Sequence, residues 1–189
     1  MGRRTNPARR NPRMAELVEQ IGGPVSSVPW SATFVAQTLE VLPVGLRDGS
    51  LFWMKPLHAE SLRVGLPASA RPADVVLDVL RWYPLAPVVV HSTSWRHEEG
   101  RIILTYVAVV SPPSSLPPDS LASLPVRRVE LARGEAMSAP KSIGVDAVLE
   151  HALRHLSWLV RDDPAVMKAL AGWQDVLAGF EPEPFRALA

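Results

Sequence analysis

The stretch from Ala86 to Val110 constrains the fold more than any other part of this sequence. Two apolar runs, APVVV at 86–90 and IILTYVAVV at 102–110, enclose the polar segment HSTSWRHEEGR. Val, Ile, Thr and Tyr favour strands, and Glu98-Glu99-Gly100 has the composition of a three-residue hairpin loop. In such a loop Gly100 takes the left-handed conformation and creates a bulge. The pattern therefore predicts one long antiparallel hairpin.

The register of this hairpin decides which side chains share a face. With a three-residue loop, His91 and Trp95 lie on one face, because alternate residues of a strand point to the same side. The other face then carries Ser92, Ser94 and Arg96. A slip of one residue would exchange the partners of the two faces.

Shorter patterns predict further strands and a helix before this hairpin. Residues 31–44 and 51–54 are strand-like and flank Asp48-Gly49, a pair favoured in two-residue hairpin turns. Residues 60–67 add a short strand. After Pro72, apolar residues at helical spacing predict about three turns of helix, with Pro72 at a tolerated first-turn position and Pro84 ending the helix.

The rest of the chain predicts a loop, an edge strand and two terminal helices. Five prolines among residues 111–125 predict a long loop, and residues 126–132 alternate like an edge strand. Residues 144–161 carry a continuous apolar helical face. A second helix begins with Asp163 as N-cap and Pro164 at the first position, and is expected to bury some of the apolar residues from Val166 to Phe180.

These elements predict an α+β fold: an antiparallel or mixed sheet of hairpins, packed by one middle helix and two C-terminal helices. With 189 residues, of which 47% are hydrophobic, the chain is long enough to bury one core. We expect a disordered basic arm at 1–13, a single domain at 14–180 that includes the proline-rich loop at 111–125, and a C-terminal tail at 181–189.

Composition excludes several classes of function. The absence of cysteine excludes disulfides, thiolate metal sites and thiol catalysis, and it is typical of a reducing compartment, so we expect a cytoplasmic protein. The longest nearly apolar run, residues 102–110, is about half of the roughly 20 residues that a spanning helix needs. No membrane partner is therefore expected.

Positive charge is concentrated at the amino terminus. The net charge is +1, but five arginines occupy residues 1–13 without any acid, which leaves 15 basic and 19 acidic residues for the rest. The body therefore offers no general basic field for nucleic acid. A weak nucleic-acid contact is predicted for the arm alone, through Arg3, Arg4, Arg9, Arg10 and Arg13.

The polar segment of the long hairpin supplies the candidate ligand site. Its side chains offer hydrogen-bond donors and a stacking surface for a small anionic or planar ligand. Two histidines four residues apart on one helix are expected to meet this segment. The candidate ligand-binding residues are His91, Ser92, Thr93, Trp95, Arg96, His151 and His155.

A metal- or histidine-dependent hydrolase of a phosphorylated compound is the alternative to binding of a ligand or partner. His151 and His155 have the spacing of half a zinc site, for which His91 or His97 would have to supply a third ligand. No metal site is predicted from this pair alone, and the cofactor is unknown. No motif for serine catalysis or nucleotide binding occurs, so no catalytic residue is assigned and enzymatic activity stays open.

The triplets HST at 91–93 and HLS at 155–157 resemble those of the two-histidine phosphoesterases. The resemblance implies an acid and a base on either side of a phosphodiester, with each hydroxyl holding phosphate oxygens. The first triplet lies on a predicted strand, as in that family, whereas the second lies in a predicted helix. A shared cleft for His91 and His155 is what this resemblance requires.

In element order, residues 30–161 resemble the Nudix-type α/β sandwich. The resemblance implies that scaffold, with a Nudix box expected near residues 65–85. There the sequence reads GLPASARPADVVLDVLRW, whose only acids are Asp74 and Asp78, so the box is absent. The resemblance therefore implies neither a magnesium cluster nor diphosphate hydrolysis for this chain.

Overall fold

The chain reverses at Asp48 and Gly49, as the sequence predicts. Both have positive φ, 51° and 73°, which is the left-handed pair that a tight two-residue turn uses. The turn joins β1 (Gln37–Arg47) to β2 (Ser50–Pro56), and β3 (Leu62–Gly65) follows as the expected short strand. The structure is a computed structural model that describes residues 37–111, 121–126 and 143–180.

The middle helix, α1 (Pro72–Trp82), confirms the prediction in type and extent. Pro72 lies in its first turn, where the missing N–H has no intrahelical partner to lose. Asp74 in the first turn and Arg81 in the last turn complement the helix dipole. The helix ends before Pro84, whose ring is incompatible with its continuation.

The long hairpin consists of β4 (Ala86–Glu98) and β5 (Arg101–Ser111). Gly100 is left-handed as predicted, with φ of 75°, but Glu99 is left-handed too, with φ of 49°. The turn therefore has two residues, and the predicted three-residue loop is wrong. A turn with two left-handed residues matches the twist of the flanking strands, which explains why it replaces the longer loop.

The strands form one mixed sheet, which confirms the predicted α+β class. Its order is β4-β5-β1-β2-β6, where β6 spans Leu121–Pro125. Strand β1 runs parallel to β5 and antiparallel to the others that pair with it. β3 pairs with the first half of β1 and β2 with the second half, so both lie along the same edge of that long strand.

Strand β6 corrects the prediction that residues 111–125 form a loop throughout. Leu121 is buried and Leu124 pairs with Trp53 of β2, so this proline-flanked segment still has apolar side chains to pack. Pro125 is tolerated because β6 lies at the end of the described sheet, where one side of the strand needs no ladder donors.

Residues 143–180 contain three helices instead of the predicted two. The first, α2 (Val145–Asp162), matches the prediction, and α3 (Pro164–Ala169) begins as expected, with the Asp163 carboxylate accepting from the backbone N–H groups of Ala165 and Val166. The second predicted helix then breaks, and α4 (Gln174–Leu177) follows. Gly172, with φ of 88°, has a conformation that no helix continues through.

Helices cover both faces of the sheet. One apolar cluster packs α1 against one face, and a second packs α2, α3 and α4 against the other. None of the helices in the described part of the chain is long and apolar enough to cross a membrane. The basic arm at 1–13, all but the first residue of the predicted strand at 126–132, and the tail at 181–189 lie outside the described residues and stay predictions.

Candidate functional site

Side chains of β4 are assigned to a face of the sheet through their partners on β5. On the face packed against α2, here called the α2 face, Leu42 of β1 lies beside Val107 of β5. On the opposite face, here called the α1 face, Leu39 lies beside Leu104. Because side chains alternate along a strand, each β4 residue shares the face of the β5 residue that it pairs with.

Thr93 is an extra residue in β4. Ser92 pairs with Tyr106 and Ser94 pairs with the adjacent Thr105, so Thr93 has no partner in the ladder and forms a β-bulge. Its hydroxyl donates to the carbonyl oxygen of Thr105 at 3.3 Å. One extra residue reverses the alternation of every side chain beyond it.

The predicted distribution of side chains along β4 is wrong between the bulge and the turn. Trp95, expected beside His91, pairs with Leu104 and lies on the α1 face. Arg96, expected opposite His91, shares the α2 face with it. A two-residue turn combined with a bulge at Thr93 shifts the register by one residue near the turn and leaves it as predicted at His91.

Three imidazoles meet where α2 lies against β4, and His91, His151 and His155 are here called the histidine cluster. The ring centroid of His155 lies 6.2 Å from that of His91 and 4.6 Å from that of His151. His151 also forms a hydrogen bond with the backbone of Thr93. His151 is the most exposed of the three side chains, and His91 and His155 are more deeply buried. Four predicted residues therefore come together: Thr93 and the histidine cluster.

Protonation is disfavoured at two members of the histidine cluster, His91 and His151. Partial burial lowers the pKa of His91 below its ordinary value of 6.5, and the charge of His155 lowers it further. Partial burial also lowers the pKa of His151, as do His155 and Arg154, while the hydrogen bond with Thr93 opposes them. Both imidazoles are therefore neutral near pH 7.

Neutral imidazoles are common zinc ligands, so the metal alternative depends on their arrangement. Among residues 37–111, 121–126 and 143–180, no group of three or more His, Asp or Glu side chains is placed to hold a metal ion. His97, the other predicted third ligand, pairs with Ile102 and lies on the α1 face. The described geometry thus gives no support to a metal-dependent hydrolase.

The phosphoesterase alternative requires both His-x-Ser/Thr triplets at one site. His91 and His155 do lie side by side, as that resemblance requires. Ser157 does not join them, because it is 2% exposed and lines a separate cleft between α2, α3 and α4. The second hydroxyl is thus missing from the site, since a helix, unlike a strand, turns residue 157 away from residue 155.

A second polar group lies on the α2 face nearer the hairpin turn and centres on Glu40, whose side chain has 0% exposure. The Arg96 guanidinium donates to both Glu40 oxygens at 2.7 and 3.0 Å. The hydroxyls of Ser61 and Thr105 donate to Glu40 at 2.7 and 3.1 Å, and Arg63 Nε donates at 3.1 Å. With Glu98, these residues are here called the Glu40 network.

Glu98 completes this network from the hairpin turn. Arg63 donates to its two oxygens at 2.8 and 3.3 Å, and Arg96 Nε donates at 3.0 Å. Hydrogen bonds from Arg63 lower the pKa of Glu98 despite some burial. Burial alone would raise the pKa of Glu40, but its hydrogen bonds and the two guanidinium charges outweigh burial and lower it. Two carboxylates thus balance two guanidinium groups.

Arg96 was predicted to bind a ligand, but its guanidinium N–H groups donate to members of the Glu40 network. Its side chain is 11% exposed, and its nitrogens donate to Glu40, Glu98 and Thr105. The arrangement favours a role in holding β4 against β1 over direct contact with a ligand. Sequence reasoning missed the network because Glu40 lies 56 residues before Arg96 and 65 before Thr105, so no local pattern connects them.

Two exposed tryptophans, Trp95 and Trp158, differ in where they lie relative to the histidine cluster. Trp95 is 70% exposed on the α1 face, together with the exposed Ser92, so both lie away from the histidine cluster. Trp158 lies three residues after His155 on α2, which places it on the same side of the helix, and it is 49% exposed. Its helical spacing from His151 and His155 is the signal that identifies it.

No protein-family model matches the sequence, and no curated protein matches it. Among solved structures, the chain is similar to Shewanella oneidensis NrtR complexed with a 27mer DNA, with 10% identity, a TM-score of 0.47, and coverage of 79% of this chain and 78% of that chain. It is also similar to the E. coli ORF135 protein, with 17% identity, a TM-score of 0.31, and coverage of 55% and 79%. These scores assign no family, and the Nudix-like scaffold stays a prediction.

Proposed function

We propose that this α+β domain binds a small, planar, anionic ligand at the histidine cluster, with Trp158 as an adjacent stacking surface. The observation that carries the proposal is the meeting of three imidazoles from β4 and α2, with centroid separations of 4.6 and 6.2 Å. Side chains that repel one another when protonated are placed together, at a position that solvent reaches through His151.

The electrostatics of the histidine cluster support an anion as the ligand. The pKa values of His91 and His151 are lowered, so adding a proton to either imidazole is unfavourable. A bound anion would stabilise the protonated imidazoles, so binding and proton uptake would be coupled. Arg154, which is paired with Glu150 at 2.8 Å, adds a positive charge near His151.

The exposed indole of Trp158 supports a planar ligand. An aromatic side chain that is 49% exposed offers one ring surface on which a second ring can stack. His151 and His155 precede it along the same side of α2, so a flat molecule could contact indole and imidazoles together. A compact anion such as phosphate would use the imidazoles without the indole.

The neighbouring carboxylates support binding over hydrolysis. Glu40 and Glu98, on the same face of the sheet, have lowered pKa values and arginine partners. A general acid or base is most effective when its pKa lies near the working pH. The pKa values of Glu40 and Glu98 are lowered, which moves them further from neutral pH. Neither Glu40 nor Glu98 is therefore suited to assist the imidazoles as a general acid or base near pH 7.

The proposal is tested by NMR titration of the histidine ring signals, which are few because the chain has five histidines. Benzoate, benzamide and inorganic phosphate separate the contributions of charge and planarity. Benzoate should shift the signals of His91, His151 and His155, whereas neutral benzamide of the same shape should not. The exposed His58 and His97 serve as internal controls and should not respond.

Variants and pH complete this test. Benzoate affinity should rise as the pH is lowered from 7.5 to about 6, because the bound anion raises imidazole pKa values. His151→Asn should weaken binding and reduce the pH dependence, Trp158→Ala should weaken benzoate more than phosphate, and His97→Asn should change nothing. Equal responses of all five histidines, or affinity for benzoate that is independent of pH, would refute the proposal.

A further inference from the structure

A cleft between α2, α3 and α4 lies on a different side of α2 from the histidine cluster. Its volume is about 260 Å³. Polar and apolar side chains share its wall: Ser157, Val160, Arg161, Met167, Gln174 and Leu177. None of the residues predicted to bind a ligand is among them, so the cleft is independent of the function proposed above.

The hydroxyl of Ser157 is the unusual feature of this wall. Ser157 is 2% exposed, and its Oγ has no hydrogen-bond partner among the described residues. A serine inside a helix commonly bonds the carbonyl oxygen of the preceding turn, and buried hydroxyls are nearly always partnered. The Ser157 Oγ is itself buried in the cleft wall, so it reaches a molecule in the cleft when the serine side chain rotates toward it, and this rotation supplies the hydrogen bond that the hydroxyl lacks.

We infer that this cleft binds a small, mainly apolar molecule that carries one carbonyl-type oxygen as a hydrogen-bond acceptor. The polar side of the wall can donate to such an oxygen, since the Ser157 hydroxyl and the Gln174 amide each carry a donor as well as an acceptor. Val160 and Leu177 supply apolar surface. Met167, which is 40% exposed, leaves apolar surface in water that a bound molecule would cover.

The size of the cleft agrees with this class of ligand. An apolar cavity of about 150 Å³ is known to accommodate benzene, so about 260 Å³ accepts a ring with a short polar substituent. The flexible thioether of Met167 can adapt to different rings. A ligand of this kind would place its ring against the apolar residues and its oxygen against Ser157.

The test uses two probes of the same shape, acetophenone and 2-phenylpropene, of which only acetophenone has an oxygen acceptor. Protein labelled in its methionine methyl groups reports on the cleft through Met167, whose signal is assigned with Met167→Leu. Acetophenone should shift the Met167 signal and bind Ser157→Ala roughly fivefold more weakly, the loss expected for one hydrogen bond. Ser123→Ala, in β6, should bind it like the wild type.

Stability of the free protein gives the second readout. Because the Ser157 hydroxyl has no partner, Ser157→Ala should melt at the same temperature as the wild type or higher. 2-Phenylpropene should bind both proteins equally, and Met167→Lys at the exposed rim should weaken both probes. A lower melting temperature for Ser157→Ala, equal affinity of the two probes for the wild type, or an unshifted Met167 signal would overturn the inference.

Discussion

The Glu40 network and the histidine cluster occupy the same face of the same sheet, and they differ in charge balance. In the Glu40 network two carboxylates meet two guanidinium groups, and each Glu40 oxygen accepts several hydrogen bonds. In the histidine cluster, like groups meet one another and the pKa values of His91 and His151 are lowered. The charges of the Glu40 network are paired without a ligand, whereas an added anion would stabilise protonated imidazoles in the histidine cluster.

This difference separates structural polar groups from candidate binding groups. A buried charge costs little only when oppositely charged and hydrogen-bonding partners surround it, as they do at Glu40. The network ties β4 to β1 and β3, and it therefore holds the strand on which His91 lies. The histidine cluster is more exposed, and the pKa values of His91 and His151 are lowered, which is the pattern expected of a site that responds to its surroundings.

Breaking the Glu40 network should have the largest effect on stability. Glu40→Ala removes the buried one of the two carboxylates that accept from both Arg96 and Arg63, and removing one member of a buried ion pair costs about 3 to 5 kcal/mol. Chemical denaturation measures this change. The matched control is Asp78→Ala, which breaks the exposed 2.8 Å pair with Arg81 and should cost less than about 1 kcal/mol.

If Glu40→Ala and Asp78→Ala lowered the free energy of unfolding equally, the Glu40 network would stabilise the fold no more than an ordinary surface ion pair does. Glu98→Gln gives an intermediate point, because Glu98 is 36% exposed and water can replace part of what it contributes. The order Glu40, Glu98, Asp78 is therefore the expected order of decreasing loss.

Local sequence patterns predict a turn or a helix start where the residues have a backbone preference of their own, and the turn of the long hairpin shows where such patterns fail. Asp48-Gly49, Pro72 and the pair Asp163-Pro164 determine turns and helix starts through their own backbone preferences, and the structure confirms each of them. Glu99 has no such preference, yet it is left-handed. Its conformation depends on how the two strands twist together, so the turn length was not predictable from the loop residues.

The candidate site was predictable where it depended on helical spacing. The helix and the strand were both predicted correctly, so the sequence also predicted that His151 and His155 lie together and meet His91. The faces of Trp95 and Arg96 were not predictable, because a single bulge at Thr93 reverses them. The parallel pairing of β1 with β5, which brings Glu40 to Thr105, leaves no local pattern in the sequence.

Deleting Thr93 should have a much smaller effect than a deletion within a strand usually has. Ser92 and Ser94 already pair with adjacent residues of β5, so the shortened strand pairs regularly and Arg96 stays beside Glu40. The expected loss is about 1 to 2 kcal/mol, the contribution of the hydrogen bonds that Thr93 forms with Thr105 and with His151. Thermal and chemical denaturation of the deletion variant measure it.

Deletion of Leu104 from β5 is the control for this prediction. Leu104 is regularly paired with Trp95 and Leu39, so its removal shifts every following residue of β5 to the wrong face. This variant should fail to fold under conditions where the Thr93 deletion is native. If both deletions were equally damaging, the bulge would be a necessary part of the sheet instead of an added residue.

The smallest expected effect is a dependence of stability on pH that originates in the histidine cluster. The folded pKa values of His91 and His151 are lowered from 6.5, so the unfolded chain takes up protons first as the pH falls. Stability should therefore be complete above about pH 6.5 and decrease below it. Glu40 and Glu98, with pKa values lowered from 4.5, contribute a separate loss of stability only at lower pH.

Two variants separate these two pH ranges. His151→Asn should reduce the upper slope, which is the change of unfolding free energy with pH just below about pH 6.5. Glu98→Gln should leave the upper slope unchanged and alter only the slope in the lower range. Addition of benzoate should reduce the upper slope as well, because an anion that favours protonated imidazoles opposes the loss. An upper slope that is insensitive to both His151→Asn and benzoate would assign it to other groups and remove the contrast between the two polar regions of this face.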